Sequence, residues 1–536
     1  METFDYVIIG GGSAGCVIAN RLSADPKIRV LLLEAGRSSN TWVSHVPIGV
    51  PIALGRKDMN WQYMAEPDHS RNDIVDMWPA GRMLGGGSAL NGMMFVRGHQ
   101  YDYDQWAAAG NTGWSFEEVL PYFKRMEDNE RGENAYRGKG GPQAVSETRV
   151  RHLLDDVFIE AAKEIGIHHN NDLNGALAEG VGYVQSSQKN GRRASTASGY
   201  IDPIRNRKNL EVRLHSTVKR VLFNGKRASG VEFSHGGLEH VIQAAHGVII
   251  SAGALATPGV LFRSGLGCAK RLGELKTPVV SDLPGVGKNL QEHAAVRMGF
   301  HTNVPTLTSD LGPLKNIKHL LNYVMKKRGP LTMCIGHAQA LIRSQSDLPA
   351  PNLQIIFSPM AFEFTDKGPR PYAKQAAGFA IGLTHGNSRG SVEIHSMDPQ
   401  ARPIIRYDLV GHPTDLQHLI EGCKITRQIM ATKALAPYII DERQPGKDVE
   451  TDAQWEGYIR QSAFLMYHPC GTARMGVDAM AVVDPTLQVH GTENLWIADA
   501  SIMPTITAGN INATCIMIGE KAADLIIHSR INQGDK

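Results

Sequence analysis

Near the start of the chain, apolar residues come in short runs. Tyr6 to Ile9 form one run and Ile28 to Leu33 another. Uninterrupted apolar runs of this length predict strands buried on both faces of a parallel sheet. Between them Val17, Ile18 and Leu22 share one side of a helix predicted over residues 14–24, which Asp25-Pro26 stops. Together these make one β-α-β unit. Further helices are predicted over 153–166, closed by Gly166, and over 315–328, where Ile317, Leu320, Leu321 and Val324 form an amphipathic stripe. Two more follow, over 415–430 with Thr414 as N-cap and over 513–527. Residues 210–251 alternate and end in the buried run Gly247 to Ile250, and Leu495 to Asp499 is a late strand. The chain shows no internal repeat and no low-complexity linker, so any domains are interleaved.

Length and composition narrow the class. The 536 residues suggest two or three domains, or one large domain with insertions. With 42% apolar and 20% charged residues, global disorder is excluded. A net charge of +3 gives no argument for nucleic acid or an anionic membrane surface as partner. The six cysteines show no C-x-x-C pair and no zinc spacing, which predicts neither a disulfide scaffold nor a metal and points to a reducing, cytoplasmic setting. The longest apolar stretch, Gly247 to Phe262, is too short to span a bilayer and contains Pro258, so no transmembrane segment is predicted.

The 56 glycines concentrate the chemistry. Gly10-Gly11-Gly12-Ser13-Ala14-Gly15 lies between the first strand and its helix. In this G-x-G-x-x-G pattern Gly10 permits the turn, Gly12 lets backbone approach a pyrophosphate, and Gly15 lets helix and strand pack closely. Ser13 and Ala14 open the helix, whose N-terminus faces the phosphates. Glu34, followed by Ala35, closes the second strand where a carboxylate meets a ribose hydroxyl. The loop alone does not separate NAD from FAD. A second glycine cluster over 81–92, containing Arg82, Gly86, Asn91 and Gly92, reads as another close approach to a large ligand. Asp499, followed by Ala500, ends a returning strand where it can accept from a ribityl hydroxyl. Both features favour FAD.

Two C-terminal segments add candidates. Pro469 pushes His468 toward an extended backbone, which suits a side chain held in a fixed direction; the alternative is an ordinary structural histidine. Thr507 to Thr514 leads into the last helix. One of Asn510 and Asn512 serves as a cap, and the other amide is available to a reacting oxygen.

Taken together, these motifs resemble the glucose–methanol–choline (GMC) oxidoreductases, in particular their choline-dehydrogenase-like alcohol dehydrogenase branch. Gly81 to Asn91, continuing through Phe95 and Gly98 to Asp104, is similar to the family's first signature, and Gly253 to Gly267 to its second. Gly287 to His293, the His-Pro segment and the Gly-Asn-Ile-Asn segment follow in the family's order. The resemblance implies an α/β fold. A Rossmann-type FAD domain with a parallel sheet (1–155, 195–298 and 475–536) is interleaved with a substrate domain on an antiparallel sheet (156–194 and 299–474). It implies His468 and Asn510 as catalytic pair and Val218 as a backbone contact to adenine. Leu90 stands where some members carry the histidine that bonds the flavin, which implies noncovalent FAD. Gly92 replaces a serine of choline oxidases, and Cys470 and Ala473 replace the branch's usual Val and Cys.

The reaction this implies is oxidation of a C–OH group to a carbonyl. His468 takes the proton, Asn510 binds the oxygen, hydride goes to flavin N5, and the helix start at Asn512, Ala513 and Thr514 stabilises the reduced ring. The electron acceptor, whether oxygen, a quinone or a dye, is not identified. The resemblance also admits a non-redox cyanohydrin lyase. Choline would call for an aromatic cage, for which Phe357, Phe362, Glu363 and Phe364 are candidates, although such a strand more simply packs a sheet.

Overall fold

Strands β1 (Thr3–Ile9) and β2 (Val30–Leu33) pair in parallel, with helix α1 (Ser13–Leu22) connecting them. Tyr6 to Ile9 and Val30 to Leu33 are all buried, as continuous apolar runs require. The computed structural model describes residues 2–310, 313–365 and 368–534; within these, the side chains of 309–310, 313–314, 316, 362–365, 368–371 and 532–534 are not described. The first sheet runs in the order Leu210–Arg213, β2, β1, β3 (Leu238–Ile250), Arg227–His235 and Ser216–Asn224, and β4 (Leu495–Ile497) also pairs in parallel with β3. Its far side is an antiparallel meander over 216–250. The carboxyl ends of β1, β3 and β4 converge: Ser251 N donates to Ile9 O at 2.7 Å and Ser251 Oγ to Ala498 O at 2.8 Å. In open α/β sheets this edge is where ligands bind.

A second sheet is antiparallel throughout. Its order is Ile439–Gln444, Ala294–Thr302, Ala376–Leu383, Leu353–Ser358, Ala338–Ile342 and Gly180–Tyr183. The strand Ala294–Thr302 crosses residue 298, where sequence analysis puts a domain boundary, and lies wholly in this sheet. A boundary at residue 293 follows the two sheets better.

The structure refines four local readings. The helix Pro413–Met430 is capped by His412, whose Nδ1 accepts from Thr414 N at 3.3 Å; Pro413, which lacks an N–H, sits at the first helical position. Phe357 packs against Phe158 and Phe379 with ring centroids 5.1 and 5.2 Å apart, so it belongs to the core and not to a ligand cage. The side chains of Phe362, Glu363 and Phe364 lie outside the described residues. Helix α2 (Pro313–Lys326) carries the expected stripe, but Ile317, Leu320, Leu321 and Val324 face solvent, and Tyr323 on another side of the helix is buried. The last helix, α3 (Asn512–Gly534), begins one residue earlier than expected and runs further.

Helices α1 and α3 pack closely at their N-terminal halves. A Cβ on Gly519 would lie 2.9 Å from both Ala14 O and Val17 Cβ. Glu520, fully buried, accepts from Arg21 Nε at 2.8 Å and Nη2 at 2.7 Å, from Arg125 Nε at 2.8 Å and from Tyr200 OH at 2.8 Å. The fold thereby places the last helix against the first glycine loop.

Candidate active site

The first glycine loop turns tightly against the end of β3. Gly10 has φ of +100°, and a Cβ there would lie 2.5 Å from Ser251 O. The second cluster meets the first: a Cβ on Gly86 would lie 2.8 Å from Gly12 Cα, and Gly85 N donates to Gly11 O at 2.7 Å. Two backbones touching through glycine leave a groove that side chains do not fill. Asn512 Nδ2 donates to Ser13 Oγ at 2.8 Å and joins α3 to the same groove.

At one end of the groove lies Glu34. Its Oε2 accepts from Gly11 N at 2.8 Å and its Oε1 from Gly36 N at 2.7 Å, so each oxygen keeps a lone pair for a further donor. Burial pushes its carboxyl above the usual range, against those two amide bonds. Ser216 N donates to Glu34 O at 2.9 Å and brings the strand of Val218 alongside. That strand is the sheet's edge, so Val218 has a neighbouring strand on one side only. Arg82 stacks over the Trp61 ring at 4.5 Å. Its charge opposes the rise in Glu34.

At the other end, Asp499 is more occupied than expected. Its Oδ2 accepts from Gly253 N (2.8 Å) and Thr257 Oγ1 (2.7 Å), and its Oδ1 from Ser501 N (2.7 Å). One lone pair on Oδ1 remains for an incoming hydroxyl. Asn91 Oδ1 is held by Arg193 Nη1 at 2.7 Å and Met93 N at 3.1 Å, which leaves the Nδ2 amide as its donor. The Thr514 hydroxyl bonds Tyr103 OH at 2.9 Å, so this residue offers its backbone to the groove. Leu90 is packed in a small core with Met59, Met83 and Ala89.

Gly471 N donates to Ala500 O at 3.1 Å and Ala473 N to Ser501 O at 2.9 Å, strapping the His-Pro segment to this end. Above the strap, His468 and Asn510 meet: Asn510 Nδ2 lies 3.1 Å from His468 Nε2. The structure separates the two asparagines, since Asn512 is bound to Ser13. Cys470 is fully buried, and burial pushes its thiol well above its ordinary value. It is therefore a packing residue, and iodoacetamide is expected to leave activity unchanged; inactivation traced to Cys470 by peptide mapping would contradict this.

Sequence reasoning missed the partners of His468. His293 Nδ1 lies 2.9 Å from His468 Nδ1, and His293 Nε2 lies 3.1 Å from Thr384 O. Glu292 accepts from the backbone N–H of His293 (2.8 Å) and of His468 (2.7 and 2.8 Å). Burial raises Glu292 to about 8. Burial lowers His468 to about 4 and His293 well below 6.5, so both rings are neutral at pH 7. The tautomers follow. A carbonyl only accepts, so His293 carries its proton on Nε2 and its Nδ1 is bare. His468 must then donate from Nδ1, and its Nε2, facing Asn510, is bare. The sequence signal for these partners is the Gly287-to-His293 run, which follows the family's order without marking a role.

Residues 4–295 match the N-terminal domain of the GMC oxidoreductases and residues 386–519 their C-terminal domain. The chain belongs to the GMC oxidoreductase family. This GMC oxidoreductase is 39% identical over 535 residues to human mitochondrial choline dehydrogenase, covering 98% of this chain and 90% of that one. It is 37% identical over 534 residues to an alcohol dehydrogenase (acceptor) of Pseudomonas putida, covering 98% and 96%. The solved structure of pyridoxine 4-oxidase from Mesorbium loti superposes with a TM-score of 0.89 at 31% identity, covering 98% of this chain and 99% of the other. As a GMC oxidoreductase it binds FAD and acts on CH–OH donors. The expected fold class, a parallel-containing sheet joined to a separate antiparallel sheet, is the one observed.

Proposed function

We propose that the protein oxidises an alcohol to its carbonyl at His468 and Asn510, with FAD held noncovalently in the groove between the two glycine clusters. The observation carrying this is the bare Nε2 of His468, fixed by His293 and facing the Asn510 amide. Glu34, Ala35 and Val218 would hold the adenosine, and Gly10, Gly12, Ser13, Ala14, Gly15 and Gly86 the pyrophosphate. Asn91, Gly92, Asp499, Ala500 and the start of α3 at Asn512, Ala513 and Thr514 would hold the flavin. When bound, FAD supplies the hydride acceptor.

The protein's own part is placement and proton transfer. A substrate hydroxyl displaces the direct His468–Asn510 contact, donating to His468 Nε2 and accepting from Asn510 Nδ2. His468 takes the proton at Nε2 as the C–H bond is broken. The imidazolium so formed keeps its Nδ1–H on His293 Nδ1, a neutral acceptor that shares the charge without a second ionised group. The α3 N-terminus adds a positive dipole end to the groove.

Met93, Met94, Val184, Cys334 and Ile356 form an apolar cluster with Met466 against it, and Met466 N bonds His293 O at 3.1 Å. Among the described residues no carboxylate lies within hydrogen-bond distance of Asn510 or of His468 Nε2. Gln354 Nε2 donates to Asn510 Oδ1 at 3.4 Å, so a polar side chain also stands beside the pair. The six free thiols suit a cytoplasmic setting. The test is a panel of alcohols, with choline included, scored by anaerobic bleaching of the flavin band and repeated with oxygen and with an artificial acceptor. Bleaching by an alcohol of the panel supports the reading; no bleaching by any alcohol, with cyanohydrin cleavage instead, overturns it.

Two predictions concern the cofactor. Acid precipitation should leave FAD in the supernatant, because Leu90 cannot form a histidyl link; flavin in the pellet contradicts this. Glu34→Ala should raise the Kd for FAD by roughly 10- to 100-fold, the equivalent of about 1.5–3 kcal/mol for a hydrogen bond to a charged group. Titration of the apoprotein measures it, and an unchanged Kd removes Glu34 from the ribose.

A further inference from the structure

One surface is unusual for a protein in water. On α2, Ile317, Leu320, Leu321, Val324 and Met325 are each more than half exposed. Trp42 and Ile335 are exposed to the same degree. These residues sit on elements that touch. A Cβ on Gly191 would lie 2.5 Å from Lys327 O, just past the end of α2. Two residues on, Arg193 donates to Ser44 O at 3.0 Å, in the short helix Trp42–His45, and to Asn91 Oδ1. Ile335 lies against Gly92, whose added Cβ would be 2.6 Å from Ile335 Cγ2. The apolar face therefore borders the second glycine cluster.

Charge selects what covers it. The net charge of +3 conceals a local excess. Lys315, Lys318, Lys326, Lys327 and Arg328 fall within fourteen residues, and no Asp or Glu occurs between Asp310 and Asp347. A second copy of the chain would bring two such basic segments together, which like-charge repulsion disfavours. An anionic lipid surface complements both the charge and the apolar stripe. At about 1.5 Å per residue the 14-residue helix is roughly 21 Å long, too short to cross a hydrocarbon core of about 30 Å. Among the described residues, no helix is long and apolar enough to cross a membrane. An amphipathic helix with basic flanks lies in the plane of the headgroups, and tryptophan is at home at that level.

We propose that this face is a peripheral docking surface for anionic phospholipid bilayers, with α2 in the headgroup plane and the border of the FAD groove turned toward the lipid. The holoenzyme is sedimented with sucrose-loaded vesicles of phosphatidylcholine, with and without phosphatidylglycerol, at low and high salt. Wild type should pellet with the anionic vesicles, less with pure phosphatidylcholine, and less again as salt screens the lysines. A Leu320→Glu/Leu321→Glu variant that keeps its flavin spectrum should bind roughly tenfold more weakly or worse. A Lys326→Glu/Lys327→Glu variant should lose the preference for anionic lipid. Wild type that stays in the supernatant with both vesicles, or either variant binding as wild type does, overturns the proposal. So does sedimentation equilibrium showing a dimer that the leucine substitutions dissociate.

Discussion

His468→Ala should reduce its flavin with alcohol roughly 10²–10⁴-fold more slowly than wild type, the usual contribution of a placed acid–base group. The flavin spectrum should be unchanged, because the side chain meets Asn510 and His293 and not the glycine groove. Stopped-flow absorbance without oxygen isolates this half-reaction. Asn510→Ala should slow the same step less, since it removes a hydrogen bond and not the proton acceptor. The two losses should not add, as both groups act on one oxygen. Reduction at near wild-type rate in His468→Ala refutes the assignment. The pH profile carries a sign. The neutral imidazole is the active form, and burial lowers its pKa to about 4. The reduction rate should therefore hold as pH falls through 6.5 and drop only in more acid solution. The same shift makes the unfolded chain the better proton binder between about 4 and 6.5, so this histidine's contribution to stability falls as pH falls across that window.

The second large effect is at a residue that would not touch substrate. His293→Leu removes the acceptor of the His468 Nδ1–H, leaving that ring free to rotate or to carry its proton on Nε2, where it cannot act as base. Reduction should slow on the order of 10²-fold, less than on removing the base itself and more than on losing an ordinary hydrogen bond. A merely structural role would give the same loss in any smaller side chain. His293→Asn separates the two, because its amide oxygen can accept where Nδ1 did. Asn should recover most of the rate and Leu should not. Equal rates in the two variants would show that tautomer control is not what His293 supplies.

What could be read without coordinates was local. The β-α-β unit and the phosphate loop are encoded within residues 3–34, where period and glycine spacing suffice. His468 was marked by the proline beside it, but its direction depends on His293, 175 positions away in the chain. No short-range pattern encodes that meeting. The two asparagines before α3 are alike as turn and cap residues; the family resemblance picks Asn510 for the pair with His468, and the structure sets Asn512 on Ser13. The stripe on α2 illustrates a different limit. Periodicity says that one face is apolar, and it is silent on whether that face meets the core or the outside. The cap of Pro413–Met430 was misplaced by two residues because an imidazole, and not a hydroxyl, accepts from the first turn.

The packing of α1 against α3 has a consequence for biosynthesis. Helix α1 waits for α3, since Ser13, Ala14 and Arg21 find Asn512, Gly519 and Glu520 only when about 500 further residues have been made. The phosphate loop is thus translated long before the helix that completes it. Contacts of such sequence separation carry a large loop-closure entropy and slow the search for the native state. Until then the apolar side of α1 that α3 covers stays open, and a nascent chain in this state is a natural client for chaperones. Loss of α3 would leave the strands of both sheets in place and still deprive the phosphate loop of Asn512 and α1 of its partner helix.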